Sequence, residues 1–153
     1  MKTIKILLTS LREYKKDSLL TPVYVVFESV LEIVIPTIMA LLIDNGISKS
    51  DMNYITRIGI VLLVCAGLSL LFGILAGRSA ALASAGFAKN LRRDMFVNVQ
   101  SFSFANIDKF STAGIITRLT TDVSNVQNAF QMIIRVGVRS PVMLVVAMIF
   151  AFR

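Results

Sequence analysis

The sequence predicts an all-α membrane protein, and three observations lead there. Of its 153 residues, 56% are hydrophobic, above the roughly 45–50% usual in soluble domains. Two apolar stretches long enough to cross a bilayer are separated by only a short polar loop. The second continues, without a proline, as a helix-compatible run from about Tyr54 to Phe104. At 1.5 Å per residue that run is about 75 Å long, against about 30 Å of hydrocarbon core. Such a helix overshoots the membrane and ends in a charged segment outside it.

Residues 1–16 place Ile4, Leu7, Leu8, Leu11 and Tyr14 at helical spacing, with Lys5, Arg12 and Lys15 on other faces. This pattern fits an amphipathic elbow helix lying in the headgroup region. A signal peptide fits less well, because charges interrupt the apolar run and no A-x-A-like cleavage site follows. Residues 17–43 form the first span. Pro22 falls near its start, where a missing N–H costs little, and Pro36 falls inside it and is expected to kink it. Asp44-Asn45-Gly46 is a turn signal closing the helix, so residues 44–53 form a short external loop and the two spans an antiparallel hairpin.

The second span with its extension covers residues 54–105. Gly73, Gly77, Ala81 and Ala85 repeat every four residues, a ladder that lets a neighbouring helix approach closely. Beyond Ala85, Phe87, Leu91, Met95 and Phe102 keep one apolar stripe while Lys89, Asn90, Arg92, Arg93 and Asp94 occupy other faces, as on an amphipathic helix. Ala105–Lys109 reads as a break, and Ser111 or Thr112 can cap a new helix. Residues 106–119 are a loop carrying that short helix. Arg118 and Asp122, four apart, can pair across one turn. Residues 120–153 begin a third span, but only 11 apolar residues, Val142–Phe152, precede the end, where a span needs about 20. The sequence therefore reads as a fragment or a truncated frame.

The formal net charge is +7, and its distribution fits membrane orientation better than nucleic acid. Lys2, Lys5, Arg12, Lys15 and Lys16 precede the first span, whereas the loop after it carries Lys49 beside Asp44 and Asp51. That asymmetry puts the N-terminus in the cytoplasm and the loop outside. Histidine is absent and there is one cysteine, which removes His-based catalysis, imidazole metal sites and an intrachain disulfide. Cys65 sits in an apolar run and reads as a packing residue. No catalytic, cofactor-binding or metal-ligating residue is assigned.

Glu28 and Glu32 are four apart on one face of the first span, in a row that Pro36 continues. Charges in hydrocarbon are costly and face the bundle interior or a cavity. Two readings stand: they line a translocation pathway and attract cations, or they form a structural pair with a buried partner or waters. Arg78, near the cytoplasmic interface, is poorly placed to be that partner within the hairpin.

The stretch NIDKFSTAGIITRLTTDVSNVQNAF, followed by Arg135-x-x-x-Arg139-Ser-Pro141, resembles the first intracellular loop of ABC exporters. The similarity is greatest to halves of heterodimeric bacterial multidrug exporters, where the loop reads close to KF-x-T-x-S-L-I-T-R-x-T-N-D-V. Lys109, Phe110, Thr112, Ile116, Thr117, Arg118, Thr120, Asp122, Val123 and Gln127 match. Gly114-Ile115 stands in place of the usual Ser-Leu and Thr121 in place of Asn. Gly114 also matches many homodimeric relatives, which leaves the subfamily open.

The resemblance covers the whole chain and implies a fold of elbow helix, long transmembrane hairpin extending into the cytoplasm, coupling helix and the start of a third span. It implies that Phe110, Ser111, Thr112, Gly114, Ile115, Ile116, Arg118 and Leu119 dock on an ATP-binding domain, with Phe110 as anchor, and that Arg118 and Asp122 hold the coupling helix in shape. It also implies a parent ATP-hydrolysing translocase in the plasma membrane. Such a parent moves hydrophobic or amphipathic compounds, drug or lipid-like, as a heterodimer of two halves in lipid. The phosphate cradle G-x-x-x-x-G-K-[ST] is absent, so ATP and Mg would bind a domain outside these residues. A self-contained membrane scaffold or regulatory subunit acting through its cytoplasmic hairpin is the alternative. A piece of an ion-driven transporter, with Glu28 and Glu32 carrying protons, is a third reading, weakened by the long projecting helix.

Overall fold

In the computed structural model, which describes residues 9–101 and 112–152, every element is helical. A 3-10 turn at Arg12–Tyr14 leads into α1, Lys15–Leu42, which continues as a π turn, Ile43–Ile47. α2 runs from Met52 to Gln100, 49 residues without interruption. α3, Thr112–Thr117, passes through a second π turn, Arg118–Asp122, into α4, Val123–Ala151. α1 and α2 form an antiparallel hairpin, and α4 packs against both. Three of these helical runs are long and apolar enough to span a membrane.

The Asp44-Asn45-Gly46 segment does not end the first helix. The chain stays helical to Ile47 and turns over residues 48–51, where Ser50 takes a φ of 51°. Gly46 serves contact instead of the turn. It is buried, and a Cβ on it would sit 2.8 Å from Ile55 Cγ1 at the base of α2. The Asp51 carboxylate then accepts a hydrogen bond from the Tyr54 backbone N–H at 3.1 Å, satisfying one of the orphan donors at the start of a helix. Pro22 lies well inside α1 because that helix begins at Lys15, and the helix is continuous through both Pro22 and Pro36.

Small residues let α2 approach its neighbours. Ala76, Ala80, Ala83 and Ala88 are fully buried, and Phe87 nearly so. Ala80 and Ala83 pack with Ile134 of α4, and Phe87 stacks on Phe130 with ring centres 4.9 Å apart. Thr21 Oγ1 donates across the hairpin to Ser79 Oγ at 3.0 Å, while Ser79 donates to Leu75 O at 2.8 Å. Beyond the apolar region α4 stays attached to α2 through Arg92, which donates to Ser124 Oγ at 3.0 Å. The extension of α2 is therefore one strand of a braced two-helix arm.

The described end of the elbow is fixed to that arm. Ser10 and Leu11 are buried, Asn90 Nδ2 donates to Ser10 O at 2.9 Å, and Arg12 pairs with Asp94 at 2.8 Å. The apolar positions Ile4, Leu7 and Leu8 lie outside the described residues. Tyr14 lies flat on Gly86, so close that a Cβ there would overlap the ring. Gly86→Ala is expected to destabilise the protein by about 1–3 kcal/mol, the usual cost of overpacking. Its unfolding midpoint in detergent checks this, and Tyr14→Ala in the same background should recover part of the loss.

Candidate functional site

Two carboxylates and a guanidinium come together inside the membrane-spanning part, where all three long helices meet. Glu28 and Glu32 come from successive turns of α1, and Arg139 reaches them from α4. The Arg139 Nη2 lies 2.6 Å from both carboxylate oxygens of Glu32, and Nη1 lies 3.8 Å from Glu28 Oε1. A planar guanidinium can satisfy two oxygens at once, which makes such charge-assisted contacts short and strong. The third helix contributes a notch: a Cβ at Gly73 would sit 3.0 Å from Glu28 Oε1. Gly73 thus makes room for the carboxylate.

The cluster holds two carboxylates and one guanidinium. Glu32 is fully engaged, whereas Glu28 is 9% exposed and its Oε2 has no hydrogen-bond partner among the described residues. Neighbouring Ser29 Oγ is likewise buried and without a partner there. The buried partner weighed for the carboxylates is Arg139. Sequence reasoning noted the Arg135-x-x-x-Arg139 spacing but did not connect it to the first span. The available signal was that only a cation from another helix could offset two carboxylates inside hydrocarbon.

The ladder residues are placed differently from one another. Gly73 meets Glu28, but a Cβ on Gly77 would have nothing within 4 Å, and Ala81 and Ala85 are exposed. The row that α1 and α4 cover is Ala76, Ala80, Ala83 and Phe87, one position to the side. Among the described residues, the face that α1 and α4 cover therefore lies beside the four-residue repeat and meets it at Gly73.

The segment singled out as a docking surface is described from Thr112 onward; Phe110 and Ser111 lie outside the described residues. It is not set off from the third span. α3, the π turn and α4 form one run in which Thr117, Thr120 and Ser124 each donate to a carbonyl one turn earlier, at 3.0, 2.8 and 2.9 Å. Such back-bonding accompanies bends and irregular turns. Ile116 is 57% exposed; Gly114, Ile115 and Leu119 are half-buried and Arg118 is exposed. The π turn spans Arg118 and Asp122, and its wider register takes positions four apart out of alignment.

Comparison with known proteins gives a consistent result. Residues 19–153 match the family model described as ABC transporter transmembrane region. The uncharacterized ABC transporter ATP-binding protein YfiB of Bacillus subtilis is 34% identical over 137 residues, covering 90% of this chain and 24% of that protein. An uncharacterized ABC transporter ATP-binding protein of Mycobacterium tuberculosis is 35% identical over 117 residues, 76% of this chain and 20% of that protein. The ATP-dependent lipid A-core flippase of Albidiferax ferrireducens is 32% identical over 125 residues, 80% of this chain and 21% of that protein. The chain thus spans about a fifth to a quarter of the length of these relatives.

Proposed function

Because the chain belongs to the ABC transporter transmembrane-region family, we propose that it supplies pathway helices and the force-receiving arm of an ATP-driven exporter half. The observation that carries this reading is the unbroken 49-residue α2, braced along its extension by α4. A helix of about 75 Å crosses about 30 Å of hydrocarbon and leaves a rigid lever outside. The loop motif lies at the far end of that lever, where an ATP-binding domain could push on it. The N-terminus and the lever lie in the cytoplasm of a plasma-membrane protein, and a second half completes the pathway.

The cargo in this reading is a hydrophobic or amphipathic molecule, in keeping with the flippase among the relatives. Glu28 and Glu32 line the route. The carboxylate that Arg139 leaves over would attract a cationic group, while Glu32 holds the third helix. ATP and Mg bind the separate domain. Residues 112–119 dock on that domain together with Phe110 and Ser111.

Proximity tests the docking directly. With Cys65 replaced by Ala in the full-length protein, a cysteine at exposed Ile116 is expected to cross-link efficiently to one surface of the ATP-binding domain, and nucleotide should change the yield. A cysteine at Ile60, exposed in the apolar part of α2, should give none. Equal, weak labelling at both positions would remove the docking role.

A further inference from the structure

The hairpin carries a second polar feature, away from the Glu28–Glu32–Arg139 cluster. Asp17, Leu20 and Tyr24 on α1 and Leu75, Arg78 and Leu82 on α2, with the buried Ser79 between them, line a groove of about 250 Å³. Both triplets have the spacing i, i+3, i+7, so each forms a single stripe on its helix. The hairpin runs antiparallel with Thr21 opposite Ser79 and Tyr14 opposite Gly86, a register that sets Asp17 level with Ala83 and Arg78 level with Pro22. Neither Asp17 nor Arg78 forms an ion pair among the described residues. One carboxylate and one guanidinium, neither in an ion pair among the described residues, therefore share the groove without neutralising each other.

The depth of these charges is readable. Between Arg57 and Arg78, α2 has an uninterrupted uncharged stretch, Ile58–Gly77, about 30 Å long at 1.5 Å per residue, which equals the hydrocarbon thickness. Arg78 thus marks the edge of the hydrocarbon. Asp17, level with Ala83, lies five residues, about 7 Å, farther out. The order from the membrane outward is apolar wall, cation, anion. Leu20 and Leu82, 41% and 46% exposed, open the groove toward lipid, and Tyr24 continues it upward to Phe72, whose ring lies 6.4 Å away.

We propose that this groove binds one zwitterionic phospholipid bearing a primary ammonium group. Its phosphate sits at Arg78, its ammonium at Asp17, and its acyl chains lie along Tyr24 and Leu75. Charge order selects this occupant. In such a lipid the phosphate is nearer the acyl chains and the ammonium farther out, joined by a two-carbon linker, and the long Arg78 side chain spans the rest of the separation. An anionic headgroup would satisfy Arg78 but bring negative charge toward Asp17. A trimethylated headgroup has the right charge order but no N–H to donate to the carboxylate. The bound lipid would fix the level of the hairpin at the base of the arm.

The test is lipid retention by the full chain reconstituted in bilayers of equimolar phosphatidylethanolamine, phosphatidylcholine and phosphatidylglycerol, read by native mass spectrometry. Phosphatidylethanolamine is expected to be retained over either competitor by about tenfold, which corresponds to about 1.4 kcal/mol. Asp17→Asn should abolish the preference over phosphatidylcholine, and Arg78→Gln should lower retention of both zwitterionic lipids. A series of N-methylated ethanolamine lipids on the unaltered chain needs no variant, and retention should fall with each methyl group. Equal retention across that series, a preference for phosphatidylglycerol, or retention indifferent to both substitutions would overturn the proposal.

Discussion

Arg139→Ala is expected to destabilise the three-helix bundle by about 3 kcal/mol. That is the lower end of the range for removing one member of a buried ion pair, because about a third of the Arg139 and Glu32 side chains remains exposed. The loss would come less from the missing attraction than from the two carboxylates left behind. Glu32 would lose both of its 2.6 Å contacts, and Glu28 would lose its only ion pair among the described residues while staying buried. Adding Glu28→Gln and Glu32→Gln to the same variant should restore most of the stability, since removing both sides of a polar contact costs far less than removing one. Reversible unfolding in bicelles or mild detergent would measure both. An Arg139→Ala protein as stable as the parent would show that the pair does not hold α4 to α1. Glu28→Gln alone, which leaves the Arg139–Glu32 pair intact, separates structure from transport. In the full-length exporter it should lower efflux of cationic compounds at unchanged expression, and unchanged efflux would confine Glu28 to packing.

Hydropathy and the lack of proline in the second helix made the all-α membrane architecture legible, because long apolar helices leave few other folds. The physical reasons for the misplaced details are local. Gly46 looked like a turn residue, yet its missing side chain is used for close contact with Ile55. The small-residue ladder from Gly73 to Ala85 satisfied a spacing rule, but alanines are common on every face of α2, and spacing alone does not say which face meets a neighbour. Glu28 and Glu32 were readable as charges that must be answered, while Arg139, more than 100 positions away, could be assigned only once α4 was seen to pack beside α1. The contact between Tyr14 and Gly86 gave no sequence signal, because it depends on the path of the elbow. Arg118 and Asp122 fit an α-helical pair but fall within a π turn, a register that periodicity does not reveal.

Phe110→Ala in the full-length protein is expected to uncouple ATP hydrolysis from transport. In the docking role proposed for Phe110, truncating a large aromatic anchor at a contact hot spot costs about 2 kcal/mol or more, and 1.4 kcal/mol is already tenfold in an equilibrium. The membrane bundle should be unaffected, since its brace runs through Phe87, Phe130, Arg92 and Ser124. Unfolding stability should therefore match the parent while the arm receives less of the motion of the ATP-binding domain. The most direct measurement is the number of substrate molecules moved per ATP hydrolysed in proteoliposomes. That ratio is expected to fall roughly tenfold in Phe110→Ala with ATP hydrolysis retained. A ratio equal to that of the parent, with normal substrate-stimulated hydrolysis, would contradict the assignment of this segment as the joint through which force enters the membrane helices.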